Sequence, residues 1–405
     1  MLHLLLSSPN SCVCFSRQYQ ADLPIWRALK SRCPIAASPS DADLFLVPFL
    51  YGSGATLKWG EYWRYSMRAQ IDAIQRNATR LLHRLPHLSA ETAARHVLLF
   101  TIDVEFVDLH KIAPPLLRQA LVVHLGDDHV PCRAKFQLST RPLDASISVP
   151  YRVSQWCPLG FPPPIRPKTR LLLANINPNR HATRGILAGH LRERAKALGI
   201  ESRVLFPSDI REASSGSALD AARPHRGKSI GIGTQENGEN SGSSIGGENR
   251  IPEGMLGPRE AAEAALASTF CLCPTGDSKG FTARLWFSIA HGCIPVRYDG
   301  FHRNLTSNQT AYPFADRVDW SRMVVKAPDT ANGTLLDMLL EMPQAAVESR
   351  LRYLRRVRSM LMYADLTDSS GAGSTSNLAT SPPHVKWPQD PPQLLIEQLE
   401  KRLLR

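Results

Sequence analysis

Apolar residues fall along this chain in two alternating kinds of run. LFLVPFL (Leu44 to Leu50), VLLFTI (Val97 to Ile102) and LVVHL (Leu121 to Leu125) are continuous and of strand length. Continuity without polar alternation predicts strands covered on both faces, as in a parallel sheet. Between the first two, Trp63, Met67, Ile71, Ile74, Ala78, Leu81 and Leu85 recur at spacings of three and four. That predicts one buried face of a helix over Glu61 to Leu85. A second series follows: strands at Leu171 to Ala174, Arg203 to Phe206, Ser268 to Cys273 and Cys293 to Tyr298, with helices at Thr183 to Leu198 and Phe281 to His291. Strands alternating with helices at this spacing predict two successive Rossmann-like units in an α/β fold.

Polar and proline-rich stretches divide these series. A chain of 405 residues exceeds one comfortable core. Prolines crowd Pro158 to Pro167, which suits a stiff linker. The expected organisation is therefore a first domain over 1–160, a linker over 161–168 and a second domain over 169–365. From about Ser214 to Gly257 the composition is Gly, Ser, Asn and Glu, which builds no core and reads as a disordered insert or a flexible lid. Residues 366–405 read as a low-complexity tail ending in a short amphipathic helix, Gln393 to Arg405. Such a helix docks on the body or a partner, or frays.

Charge narrows the partners. The net charge of +12 favours an anionic ligand. No lysine/arginine run interleaved with aromatics argues for nucleic acid. The eight cysteines include no Cys-x-x-Cys pair, so no structural zinc or other metal site is expected, and those in apolar runs read as buried thiols. Cys271 and Cys273, two apart in a strand, point to one face. Sequons at Asn77, Asn304, Asn308 and Asn332 are compatible with a secretory lumen. No segment reaches the ~18 apolar residues of a spanning helix.

The chemistry concentrates in FCLCPTGDSKGFTARLWFSIAHGCIPV, Phe270 to Val296. Strand, glycine-bearing loop, helix and strand make a crossover of about 30 residues, with the loop at the carboxyl end of a strand and the amino end of a helix. Free N–H groups and a partial positive charge gather there, suited to an anion. Gly276 and Gly280 let backbone approach a phosphate, Ser278 or Thr282 offers a hydroxyl, and Lys279 and Arg284 add charge. Phe287, Ser288 and His291 share a helix side with Arg284. An arginine aimed at the loop grips a diphosphate; the same position equally suits a solvated arginine or a surface ion pair. A nicotinamide-binding reading lacks its Gly-x-Gly-x-x-Gly.

FCLCPTGDS, the helix arginine and GCIPV together closely resemble the donor-binding segment of exostosin-like glycosyltransferases (glycosyltransferase family 47). DADLFLVPF (Asp41 to Phe49), HVLLF after Arg95, SISVPY (Ser146 to Tyr151), LLLANINPNRHATR and PFADRVDW (Pro313 to Trp320) resemble further family segments in the same order. The resemblance implies a GT-B fold, two Rossmann-like domains facing a cleft. It also implies inverting transfer from a UDP-sugar to a polysaccharide or glycoprotein glycan, no required metal cofactor, and Golgi residence on the lumenal side through a type II anchor upstream of this chain. A second glycosyltransferase is the candidate complex partner.

Carried onto this chain, donor binding falls to Gly276, Asp277, Ser278, Lys279, Arg284, Ser288, Asn175 and Arg184. For the base that takes the acceptor proton, HLGDDH after the third strand supplies His124, Asp127, Asp128 and His129, of which Asp127 is nominated. The sequence departs from the family at Phe287, where an acidic residue often stands, and at Ala93 to His96, AARH in place of GRDH. These departures also admit a non-catalytic glycan-binding or complex-forming member that has lost donor binding.

Overall fold

The computed structural model describes residues 21–47, 76, 79–101, 114–125, 146–152, 166–176, 182–207, 256, 258–274, 282–298, 312–327, 334–363 and 389–403. Two parallel sheets organise them. The first contains β1 (Phe45–Val47), β2 (His96–Phe100), β3 (Leu121–Leu125) and β4 (Ser146–Val149), side by side in that order. The second contains β5 (Arg170–Leu173), β6 (Val204–Leu205), β7 (Ser268–Pro274), β8 (Ile294–Tyr298) and β9 (Val325–Lys326), in the order β6-β5-β7-β8-β9. The continuous apolar runs at Val97 to Ile102 and Leu121 to Leu125 became the inner strands β2 and β3, whose apolar side chains are buried in the core. β4 arises from SISVPY, which the resemblance singled out as a family-like segment and the apolar runs did not mark as a strand.

On β7 the pleat separates two environments. Phe270 and Leu272 join Leu172, Ile294 and Val296 against helices α2 (Ala182–Ala197) and α5 (Thr334–Glu341). Cys271 turns the other way, toward α3 (Pro258–Ala267), together with Leu173 and Cys293. Leu256, inside the expected insert, is buried in this second cluster, so the core resumes before residue 257. The physical reason is ordinary: an apolar side chain next to a helix start finds cover under that helix. Between β7 and β8 runs α4 (Ala283–Ala290), whose Leu285, Trp286 and Ile289 belong to the core of the first sheet.

The C-terminal helix is neither frayed nor solitary. α7 (Pro391–Leu403) buries Leu394, Leu395, Ile396 and Leu399 in the first core, packing on α1 (Asp22–Arg32) and β4. Asp390 starts it by accepting from the Gln393 amide at 3.0 Å, while both of its oxygens take 2.7 Å hydrogen bonds from Arg32 of α1. One carboxylate thereby caps a helix and ties the two ends of the chain together. The preceding helix, α6 (Gln344–Val357), leads to Tyr363, whose hydroxyl donates to the Pro150 carbonyl just past β4 at 3.1 Å. One phase error stands out in the first half. Of the helix expected over Glu61 to Leu85 the described end ends its helical turns at Leu82, which is 1% exposed, whereas Leu81, placed on the buried face from spacing, is 54% exposed. A one-residue shift rotates a helix by about 100°, so the buried face follows from what the helix meets, not from its spacing alone.

Candidate functional site at the switch point of the second sheet

In the second sheet the chain leaves β5 toward β6 on one side and returns to β7 on the other. The carboxyl ends of β5 and β7 are thus a topological switch point, where connections diverge and leave a crevice. Two helices begin on this edge: α2 follows β5 and α4 follows β7. Their amino ends bring positive dipole ends to the same edge.

Arg284, in the first turn of α4, spans the crevice. Its Nε donates to the backbone carbonyl of Asn175, two residues past β5, at 3.0 Å. The side chain is half-buried. Two polar atoms beside this bond are enclosed and have no hydrogen-bond partner, Asn175 Oδ1 and Thr282 Oγ1. Thr282 is the N-cap of α4 with extended backbone, yet its side chain makes no capping bond. Threonine at that position ordinarily accepts from an N–H of the first turn, so this helix start keeps an enclosed hydroxyl whose hydrogen-bonding capacity is unmet. Arg184, in the first turn of α2, is 4% exposed.

Ser288 takes a different role from the one its helical spacing suggests. It is 2% exposed, its hydroxyl donates to the Arg284 carbonyl at 2.7 Å, and it lies 3.2 Å from Cys273 Sγ. It packs α4 onto β7 beneath the crevice instead of lining it. Burial pushes the Cys273 thiol up to about 11, only partly offset by Ser288 and by the Arg284 charge. Cys273 is therefore an inert thiol. Its neighbours Cys271 and Cys293 are not the free thiols expected from the apolar runs. They form a disulfide, Cα atoms 5.8 Å apart, which closes the crossover that carries α4. Parallel pairing of Phe270 with Ile294 brings the two cysteines to one side of the sheet.

Phe287, in the family's acidic position, leans on the His291 ring at 4.2 Å and packs beside the disulfide and α3. His291 is 1% exposed; its Nδ1–H donates to the Phe287 carbonyl at 2.8 Å, and its Nε2 has no partner. Burial, with Arg358 and Lys168 nearby, lowers its imidazole to about 4. The folded state thus refuses a proton that the unfolded chain takes up near pH 6.5. Stability is unaffected above that value and falls as the pH drops from about 6.5 toward 4. At pH 5 the expected loss is about 2 kcal/mol. Urea midpoints at pH 7.5 and pH 5 check this: the acid loss should shrink in His291→Gln, and an equal loss in both proteins would refute it.

The remaining nominated residues divide by location. Gly276, Asp277, Ser278, Lys279 and Asp127 lie outside the described residues. In the first sheet, His124 near the carboxyl end of β3 stands beside Ser148 of β4, and its Nδ1–H donates to the Leu125 carbonyl at 3.0 Å. Sequence reasoning passed over Arg297, 8% exposed on β8 opposite Cys273, which donates to the Tyr312 hydroxyl at 3.2 Å. An arginine inside an otherwise apolar strand was the available signal. Among the described residues, no three His, Cys, Asp or Glu side chains gather as metal ligands.

Parallel sheets whose helix amino ends and arginine meet at a switch point are the architecture of α/β proteins that take phosphorylated ligands. The Exostosin GT47 domain model matches residues 6–337, from before α1 into α5. The chain belongs to this family of glycosyltransferases. No curated protein matches it. Membership implies a nucleotide-sugar donor and a glycan acceptor, and the family generally resides in the Golgi.

Proposed function

We propose that this protein is an inverting glycosyltransferase that moves a hexosyl or pentosyl unit from a UDP-sugar to a polysaccharide or glycoprotein glycan, in a GT-B arrangement with the acceptor on the first sheet's side. The observation that carries the reading is the Arg284 bridge to Asn175 between two enclosed, unpartnered polar atoms at the switch point. Arg284 and the α4 amino end grip the diphosphate, joined by Arg184, the Thr282 hydroxyl and the Gly276 to Lys279 loop. Asp127 takes the proton of the acceptor hydroxyl as its oxygen attacks the anomeric carbon. The bond to the β-phosphate breaks on the opposite face, so the anomeric configuration inverts. Negative charge growing on the departing UDP is met by groups already in place, which assigns to Arg284 and the helix end the work a metal ion does elsewhere.

The disulfide supports a lumenal site of action, because such bonds form and persist in oxidising compartments. The test is calorimetric titration with UDP and a panel of UDP-sugars, followed by NMR of the product's anomeric configuration. Micromolar donor binding with an inverted product is expected; a retained configuration would overturn the inverting assignment.

A second reading, a non-catalytic glycan-binding or complex-forming member, is favoured by Phe287, which packs as a core residue where the family often has an acid. Absence of any nucleotide binding at millimolar concentration selects it.

A further inference from the structure

Resting on the nucleotide-sugar reading above, we propose that the side chain of Asn175 binds the donor by accepting a hydrogen bond from one of its hydroxyl groups. Asn175 carries two separable functions. Its backbone carbonyl already holds Arg284 at 3.0 Å. Its side-chain oxygen is enclosed, touches no solvent and accepts no hydrogen bond.

An amide oxygen is only an acceptor, so it cannot satisfy a phosphate oxygen, which accepts as well. What it lacks is an O–H or N–H. In a UDP-sugar the groups next to the diphosphate on either side, the ribose and the transferred sugar, are rich in hydroxyls. α4 offers no competing acceptor for them: its sequence, ARLWFSIA, contains no acid, Phe287 is packed against His291, and the Ser288 hydroxyl is bonded within the protein. With Arg284 on the diphosphate, the enclosed oxygen at the β5 end belongs to the same residue whose carbonyl holds that arginine.

An enclosed acceptor without a donor is a burden on the empty protein and an asset to the complex. This gives Asn175→Ala a signature that a structural residue lacks. The backbone bond to Arg284 survives the change. Donor affinity falls about tenfold, the effect of one lost hydrogen bond, while the thermal midpoint of the empty protein stays level or rises.

The experiment is calorimetric titration of wild type and Asn175→Ala with UDP, UDP-glucose, UDP-galactose and UDP-xylose, with thermal melts of both proteins. A tenfold loss shared by UDP and the UDP-sugars assigns the hydroxyl to the ribose. A loss confined to UDP-sugars assigns it to the transferred sugar. Equal affinities in both proteins, or a weaker affinity accompanied by a lowered melting midpoint, overturn the proposal. If wild type binds none of the four, the donor reading falls and this inference falls with it.

Discussion

Arg284→Ala is expected to leave a folded protein whose kcat/KM for glycosyl transfer is lower by roughly 10²- to 10³-fold. The reasoning runs from position to magnitude. Arg284 sits in the first turn of α4 with its guanidinium half-buried, its Nε hydrogen-bonded to a backbone carbonyl. Its removal opens no cavity in either core, so the melting midpoint should move little. On the proposed reading the lost interaction is with the diphosphate, and it strengthens as the leaving UDP gains charge. Turnover should therefore fall more than UDP affinity does. Arg284→Lys should recover little, because an ammonium cannot both hold the Asn175 carbonyl and present a planar fork to two phosphate oxygens. Steady-state kinetics and UDP titration on the two variants decide the matter. Near-normal turnover in Arg284→Ala, with circular dichroism unchanged, would remove Arg284 from the site.

Breaking the disulfide is the second large effect. Cys271 and Cys293 lie 22 residues apart in sequence and bracket the helix that carries Arg284. In the chain-entropy picture a loop of that length restrains the unfolded chain by about 3 kcal/mol. Cys271→Ser with Cys293→Ser should lower the urea midpoint correspondingly. It should also weaken UDP binding, because the middle of β7 and the residue before β8 are no longer linked across the crossover. Cys273→Ala, which leaves the pair intact, should do far less. Urea melts of the three proteins provide the comparison, and a double variant as stable as wild type would show that packing alone holds the crossover. The neighbouring Cys273 does not scramble the pair, since burial keeps its thiol protonated.

These expectations depend on features that pattern reading reached unevenly. The strands at Leu121–Leu125 and Ser268–Pro274 and the helix at Ala182–Ala197 were legible to within a residue or two, because each is a hydrophobic run with sharp polar or proline borders. α7 was legible as a helix but not as part of the first core. Its amphipathic face specifies that something covers it, not that β4 does so together with α1, which is nearly 360 residues away along the chain. Leu81 and Leu82 show the same limit within one helix, where spacing alone misjudged the buried face by one residue.

At the site, Arg284 was readable as a charge at the start of a helix following a glycine-bearing loop. That chemistry is local, and local order along the chain carries it. Asn175 was readable only as a loop residue in a family-like segment. Its carbonyl under Arg284, and its enclosed oxygen, depend on β5 and β7 standing side by side. Ser288 shares a helix face with Arg284 by spacing, yet its hydroxyl closes on Arg284's own carbonyl and on Cys273. The disulfide likewise needed the register that pairs Phe270 with Ile294.

By itself, then, the sequence determined the alternating elements, the family and the anion-seeking crossover, since hydrophobic period, turn residues and motif order are properties of neighbours along the chain. Tertiary structure alone decided which cysteines pair, which polar atoms stand enclosed and without partners, and where the last helix rests. Those depend on strand register and packing between segments far apart in sequence, which no local pattern records.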